Sequence, residues 1–303
     1  MVCPKSEKIK LIYIGPVGRS GSTLLDIIFG THPDIESVGE IVNYSEWFQK
    51  DLRCSCGEKI SQCPYWSRVQ TKLSEIMNDS EKLKINFVPK FEQYLNILRL
   101  SSVQKAQKYG YYNYILFKSI LSVTGRNIIW DSSKDIDRVI YLYRSGYFDI
   151  KVIHLVRDGR GTINSMSIPR MRLAVDPPQP IEPQNSLKAS LRWTLNHLRM
   201  LRFKKIIGND KYLLVRYEDL ASNPQNEIER IYKFLKLEIP EPIIEKIYNI
   251  AFRQVEEAEK QREILDTKAE TLIRTIGIVI PLILGTGGFL VSKFTSSMCK
   301  ESI

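Results

Sequence analysis

Cysteine is scarce, with five residues in 303. That is too few to staple a chain of this length, so a disulfide scaffold is excluded and the fold must rest on a buried core. Histidine is scarcer, with three, and no string of Asp or His at metal-ligand spacing occurs. Internal repeats are absent. The opening MVCPKSEKIKLIYIG carries no long apolar run before the first strand-like segment, so no secretory leader is visible and the folded body is expected in the cytoplasm. Acid is outnumbered by base, 34 residues against 44, for a net charge of +10. That excess favours anionic partners such as nucleotides, sulfated glycans or anionic lipid. Nucleic acid is set aside, because no stacking aromatics or recognition motif accompany the charge. A hydrophobic content of 43% suits one large domain with a true core.

What is present is an alternation of strands and helices. Lys8–Gly15 (KIKLIYIG) is a nearly continuous apolar run, the pattern of a strand buried on both faces. The glycine-rich GPVGRSGST follows at once, then LLDIIFG at helical spacing. Residues 67–125 are patterned as helix. Ile128–Asp131 and Lys151–Val156 read as two further buried strands, ending in the polar clusters SSKD and RDGR, and Tyr212–Val215 as a fourth. Asn223 and Pro224 open a helix through Leu235, since asparagine caps well and proline suits the first turn. These elements predict a three-layer, P-loop-like α/β domain with a central parallel sheet and a helical insertion. In such sheets ligands sit at the carboxyl ends of the strands, where the polar clusters fall. The expected organisation is a domain over 1–252, a charged helical connector over 253–274, and a hydrophobic segment over 275–303. Within the last, Ile276–Val291 runs without a charge, at the lower limit of a spanning helix. It is read as a membrane anchor, a buried or partner-binding hairpin, or a disordered tail.

The glycine loop departs from the nucleotide triphosphatase pattern, in which the second glycine is followed by Lys and then Ser or Thr. Here Ser22 and Thr23 follow Gly21, and the cation, Arg19, precedes it by two. What remains is a nest of backbone N–H groups from Arg19 to Thr23 at a helix N-terminus, which suits an anion. Arg19 adds permanently charged donors in a planar fork. The Arg-Ser-Gly-Ser-Thr-Leu-Leu string resembles the 5′-phosphosulfate loop of the sulfotransferase superfamily, particularly its carbohydrate and protein-tyrosine branches. The resemblance implies that Gly18, Arg19, Ser20, Gly21, Ser22, Thr23 and Leu24 hold the phosphosulfate of 3′-phosphoadenosine-5′-phosphosulfate (PAPS).

Three further segments extend the likeness. VIHLVRDGRGTINSM resembles the superfamily's 3′-phosphate site, with Arg157 and Ser165 at the matching positions, Asp158 able to pin the loop and Arg160 adding positive field. LLVRYEDLASNP matches a third recurrent segment, in which Tyr217 either approaches the nucleotide or packs in the core, while Glu218 and Asp219 hold the following turn. Trp130–Lys134 resembles a DSSK signature of bacterial and glycan sulfotransferases. Lys134 is the candidate for the bridging oxygen or an anionic acceptor, with Ser132 or Ser133 as alternatives. Sulfuryl transfer needs a base for the acceptor proton and cations for the leaving diphosphate. Glu40 lies 21 residues after Arg19, about where the resemblance places a catalytic glutamate; a solvated loop carboxylate is the alternative.

No metal is expected for this chemistry. Cys54, Cys56 and Cys63 admit a zinc site, a disulfide from Cys63 to one partner, or free buried thiols. His32 is read as structural, His154 as core, and His197 as a candidate, with Trp193 and Asn196, for the acceptor cleft. The five-proline stretch 169–183 is a lid or a linker. The resemblance implies transfer to a hydroxyl or amine of a glycan, lipid-linked sugar, small metabolite or protein tyrosine; membrane association through 276–291 is an expectation from the apolar run alone. Two other readings compete: a nucleotide kinase or triphosphatase, and a non-catalytic membrane-bound nucleotide-binding protein of the same fold.

Overall fold

The computed structural model describes residues 8–82, 85, 103–172 and 178–240. Chain order runs β1 (Ile9–Gly15), α1 (Ser22–Gly30), β2 (Ile35–Gly39), α2 (Tyr44–Gln49), α3 (Pro64–Ser74), α4 (Asp79–Lys82) and α5 (Val103–Thr124). It continues with β3 (Ile128–Asp131), α6 (Ile136–Ser145), β4 (Phe148–Val156), α7 (Gly159–Ser167), β5 (Arg170–Arg172), β6 (Gln179–Ile181), α8 (Ser186–Ile207), β7 (Tyr212–Arg216), α9 (Tyr217–Ser222) and α10 (Pro224–Leu235). The four expected strands are β1, β3, β4 and β7. The sequence did not suggest β2.

Five strands form one parallel sheet in the order β2-β3-β1-β4-β7. From β1 the chain leaves toward β2; from β4 it leaves the other way, toward β7. The strand order therefore reverses between β1 and β4, and the crevice at their carboxyl ends is the switch point where ligands bind in open α/β sheets. β1 shows why the sheet is sandwiched. Ile9, Leu11 and Tyr13 join the large core built with α3, α5, α6 and α8, while the alternate residues Ile12 and Ile14 are buried on the opposite face. On that face Trp130 stacks on Phe29 of α1 at 4.6 Å, and Phe29 meets Tyr232 of α10 at 4.8 Å. Helix starts follow local chemistry. The Asp135 side chain accepts the N–H groups of Asp137 and Arg138 to begin α6, and Asn185 does the same for Leu187 and Lys188 of α8. Asn223 and Pro224 open α10 as expected. The insertion between β2 and β3 carries helices α2–α5 among its described residues, with a bridged turn between α2 and α3. In the proline-rich stretch β5 and β6 pair antiparallel, with Met171 opposite Pro180.

One expectation is corrected: a cytoplasm-facing body anchored in a membrane through Ile276–Val291. Among the described residues no helix is long and apolar enough to cross a membrane, and 276–291 lies outside them, as do the expected connector and C-terminal segment. The run is 16 residues long with Pro281 inside it, short of the roughly 17–25 apolar residues a spanning helix requires. The anchored placement is withdrawn.

Candidate active site

The loop after β1 is held from within. The Ser20 hydroxyl donates to the carbonyl of Val17 at 2.7 Å, and Arg19 and Gly21 both take left-handed backbone, with φ of 66° and 93°. Gly21 is the N-cap of α1, and no side chain caps that helix. The first-turn N–H groups of Ser22 and Thr23 thus meet the general condition of uncapped donors at a positive helix end, which is the fit an anionic group requires. Ser22 and Leu24 are buried, and Arg19 and Thr23 are exposed.

Two strand ends close on this loop. Arg157, just past β4, donates from Nη1 to the carbonyl of Arg19 at 3.3 Å. Its guanidinium lies 4.6 Å above the ring of Tyr217, and Tyr217 in turn packs against Gly21, where an added Cβ would come within 2.4 Å of the ring. Gly21→Ala therefore meets two obstacles. Left-handed backbone in a non-glycine residue costs roughly 1–3 kcal/mol, and Tyr217 must move as well. The expected result is at least about tenfold weaker anion binding at the loop, with circular dichroism unchanged; calorimetry on the variant checks it.

The loop after Arg157 is also braced. Asp158 donates its N–H to Glu218 Oε1 at 2.8 Å, and its carboxylate accepts the N–H of Arg160 at 2.8 Å and pairs with that side chain at 2.7 Å. Asp158 thus caps α7, and Glu218 holds the loop from α9. Ser165 sits on α7, half-buried.

On the other side of the crevice, Lys134 Nζ meets Glu40 Oε1 at 2.5 Å. Glu40 also accepts from Asn43 Nδ2 at 3.4 Å, and the aliphatic stem of Lys134 runs beside Gly18, its Cδ 3.9 Å from where a Cβ would stand. The lysine is mostly covered, with 11% of its side chain exposed, against 52% for Glu40. The flanking residues are committed to structure. Ser132 Oγ donates to Asp26 at 2.7 Å. Ser133 Oγ donates to Asp131 and accepts the N–H of Val42 at 3.0 Å. Asp131 is fully buried against Arg138 Nε at 2.8 Å, and Arg138 also reaches Tyr109 and Asn113. Breaking such a buried pair costs about 3–5 kcal/mol, so Asp131 holds the loop that presents Lys134. Sequence reasoning missed Asp26, which binds Ser132 and Trp130 Nε1 from inside α1. Burial pushes its carboxyl up, against the hydrogen bond from Ser132. The readable signal was a lone aspartate in the apolar LLDIIF.

His154 is core, as expected, but it is paired. Its Nε2 meets His197 Nδ1 at 2.6 Å, its Nδ1 meets the Tyr212 hydroxyl, and Trp193 packs on His197 at 4.5 Å. His197 is buried rather than lining an open cleft. Burial lowers His154 to about 3, with His197 adding to the effect, and burial lowers His197 to about 4. As pH falls below about 6.5, the unfolded chain takes up protons that the folded pair refuses. Stability then drops by up to about 1.4 kcal/mol per pH unit for each ring. Urea midpoints are expected to fall between about pH 6 and about pH 4.5, and the fall to be shallower in His197→Gln.

The site thus defines an α/β protein whose β1/β4 crevice is lined by a glycine loop, Arg19 and Arg157, on a P-loop-like scaffold lacking the triphosphatase lysine. Residues 12–241 match the sulfotransferase family, and the chain belongs to that family. Among solved structures, the sulfotransferase STF9 from Mycobacterium avium is similar with a TM-score of 0.50 at 12% identity, over 80% of this chain and 68% of that one. The sulfotransferase domain of the Synechococcus PCC 7002 olefin synthase gives a TM-score of 0.47 at 22% identity, over 80% and 78%. No curated protein matches the chain. The class of reaction is therefore sulfuryl transfer.

Proposed function

We propose that the chain moves a sulfuryl group from PAPS to a hydroxyl or amine of a glycan, lipid-linked sugar or small metabolite by in-line displacement. When bound, PAPS supplies an activated sulfuryl group on its 5′-phosphate. The loop amides from Gly18 to Leu24 and the Arg19 guanidinium bind the phosphosulfate. Arg157 and Ser165 grip the 3′-phosphate, and Tyr217 backs Arg157. Glu40 takes the acceptor proton, while Lys134 holds that carboxylate in the resting enzyme and neutralises charge at the 5′ end. The observation that carries this reading is the contact of Arg157 with the carbonyl of Arg19. It ties together two anion-binding groups from opposite sides of the switch point.

The test is turnover. The full chain is incubated with PAPS and acceptor panels from each class, with release of 3′-phosphoadenosine 5′-phosphate and the acceptor's mass gain followed together. Matched appearance of both supports the reading. Release of 3′-phosphoadenosine 5′-phosphate at the uncatalysed rate with every acceptor counts against it.

A further inference from the structure

Between α2 and α3 the chain makes a tight turn at Cys54-Ser55-Cys56-Gly57. Arg53 and Lys59 bridge antiparallel across it. Cys54 N–H donates to the Glu58 carbonyl at 2.8 Å, Gly57 N–H donates to the Cys54 carbonyl at 3.0 Å, and Gly57 takes a φ of 94°. The turn aims two thiols at a third, Cys63, which is buried at the N-cap position of α3. The Cys63 Sγ lies 3.5 Å from that of Cys54 and 3.6 Å from that of Cys56, and all three sulfurs fall within 4.8 Å of one another.

Those separations match one chemistry well. Thiolates about 2.3 Å from a tetrahedral zinc stand roughly 3.8 Å apart, whereas a disulfide would bring two sulfurs to about 2.05 Å and leave the third over. An all-sulfur donor set selects soft ions over magnesium or calcium. No His, Asp or Glu joins the group among the described residues, and Cys56, unlike buried Cys63, is exposed to solvent.

We propose that Cys54, Cys56 and Cys63 form a three-thiolate zinc site with water in the fourth position. Binding releases three thiol protons to the buffer and leaves a complex of net charge −1. This reverses the expectation of no metal and is independent of the donor-site reading. The clamp fastens a segment between Glu40 and α3 in which Leu52 and Ile60 are buried, Ile60 as part of the main core.

The test uses the full chain purified under reducing conditions. Metal content is measured by mass spectrometry, and Co2+ is titrated as a spectroscopic stand-in. The expected result is one equivalent per chain, a thiolate-to-cobalt charge-transfer band, and alkylation of the three cysteines only after chelation. Cys56→Ser should weaken zinc binding by at least about 100-fold, the upper end of what loss of an outer-shell partner alone costs. A Cys3→Ser, Cys299→Ser double variant should bind as wild type. The proposal fails if no stoichiometric metal binds and the three thiols alkylate equally with and without zinc. It also fails if a disulfide joins Cys63 to either partner in the freshly isolated protein, or if the double variant loses the site.

Discussion

Replacing Arg157 by alanine is expected to weaken binding of 3′-phosphoadenosine 5′-phosphate by about 10- to 150-fold. A hydrogen bond to a charged group contributes about 1.5–3 kcal/mol, and each 1.4 kcal/mol is tenfold in affinity. Adenosine 5′-phosphate, which lacks the 3′-phosphate, should bind the variant about as it binds wild type. Lysine at this position should not rescue, because a point charge replaces the planar fork that also stacks on Tyr217 and reaches the Arg19 carbonyl. Calorimetric titration of both nucleotides into the three proteins checks this. An equal loss for both nucleotides would assign Arg157 to shaping the loop, not to reading the 3′-phosphate.

Glu40→Gln is expected to lower kcat by roughly 10²–10⁴, the usual contribution of a positioned general base, and to leave the KM for PAPS nearly unchanged. The neighbouring lysine offers a control, because Lys134 contacts the same carboxylate at 2.5 Å. If Lys134 served only to hold Glu40, adding Lys134→Ala to Glu40→Gln would cost nothing more. If it also neutralises developing charge, the double variant should be slower still. A raised KM with intact kcat in Glu40→Gln would remove this residue from the chemistry.

The sheet and the glycine loop that enters α1 were legible because their signals are local. A run such as KIKLIYIG can be buried on both faces only in a covered parallel sheet, and a glycine loop entering a helix has one anion-binding end. The Arg157 cluster was readable for the same reason, as a polar break after an apolar strand. What escaped depends on pairing across the chain. β2 is an edge strand bonded to β3 alone, and its IESVG is only partly buried, so no apolar run announces it. The β5–β6 ribbon lies among prolines that argue against strands, and it is tolerated as an isolated pair outside the main sheet. The His154–His197 pair joins positions 43 residues apart. Within Ser132-Ser133-Lys134, spacing could not reveal that Asp26 and Asp131 engage the two serines. Three cysteines at spacings of two and seven read as an incomplete ligand set until the turn at Gly57 brings their sulfurs together.

The central claim is that the β1/β4 crevice reads a 3′-phosphorylated adenosine nucleotide. The most direct measurement is a paired calorimetric titration of the wild-type chain with 3′-phosphoadenosine 5′-phosphate and adenosine 5′-phosphate. Micromolar binding of the first, and binding of the second weaker by at least about tenfold, is the predicted result. Equal affinity for the two, or no binding of either, would contradict it.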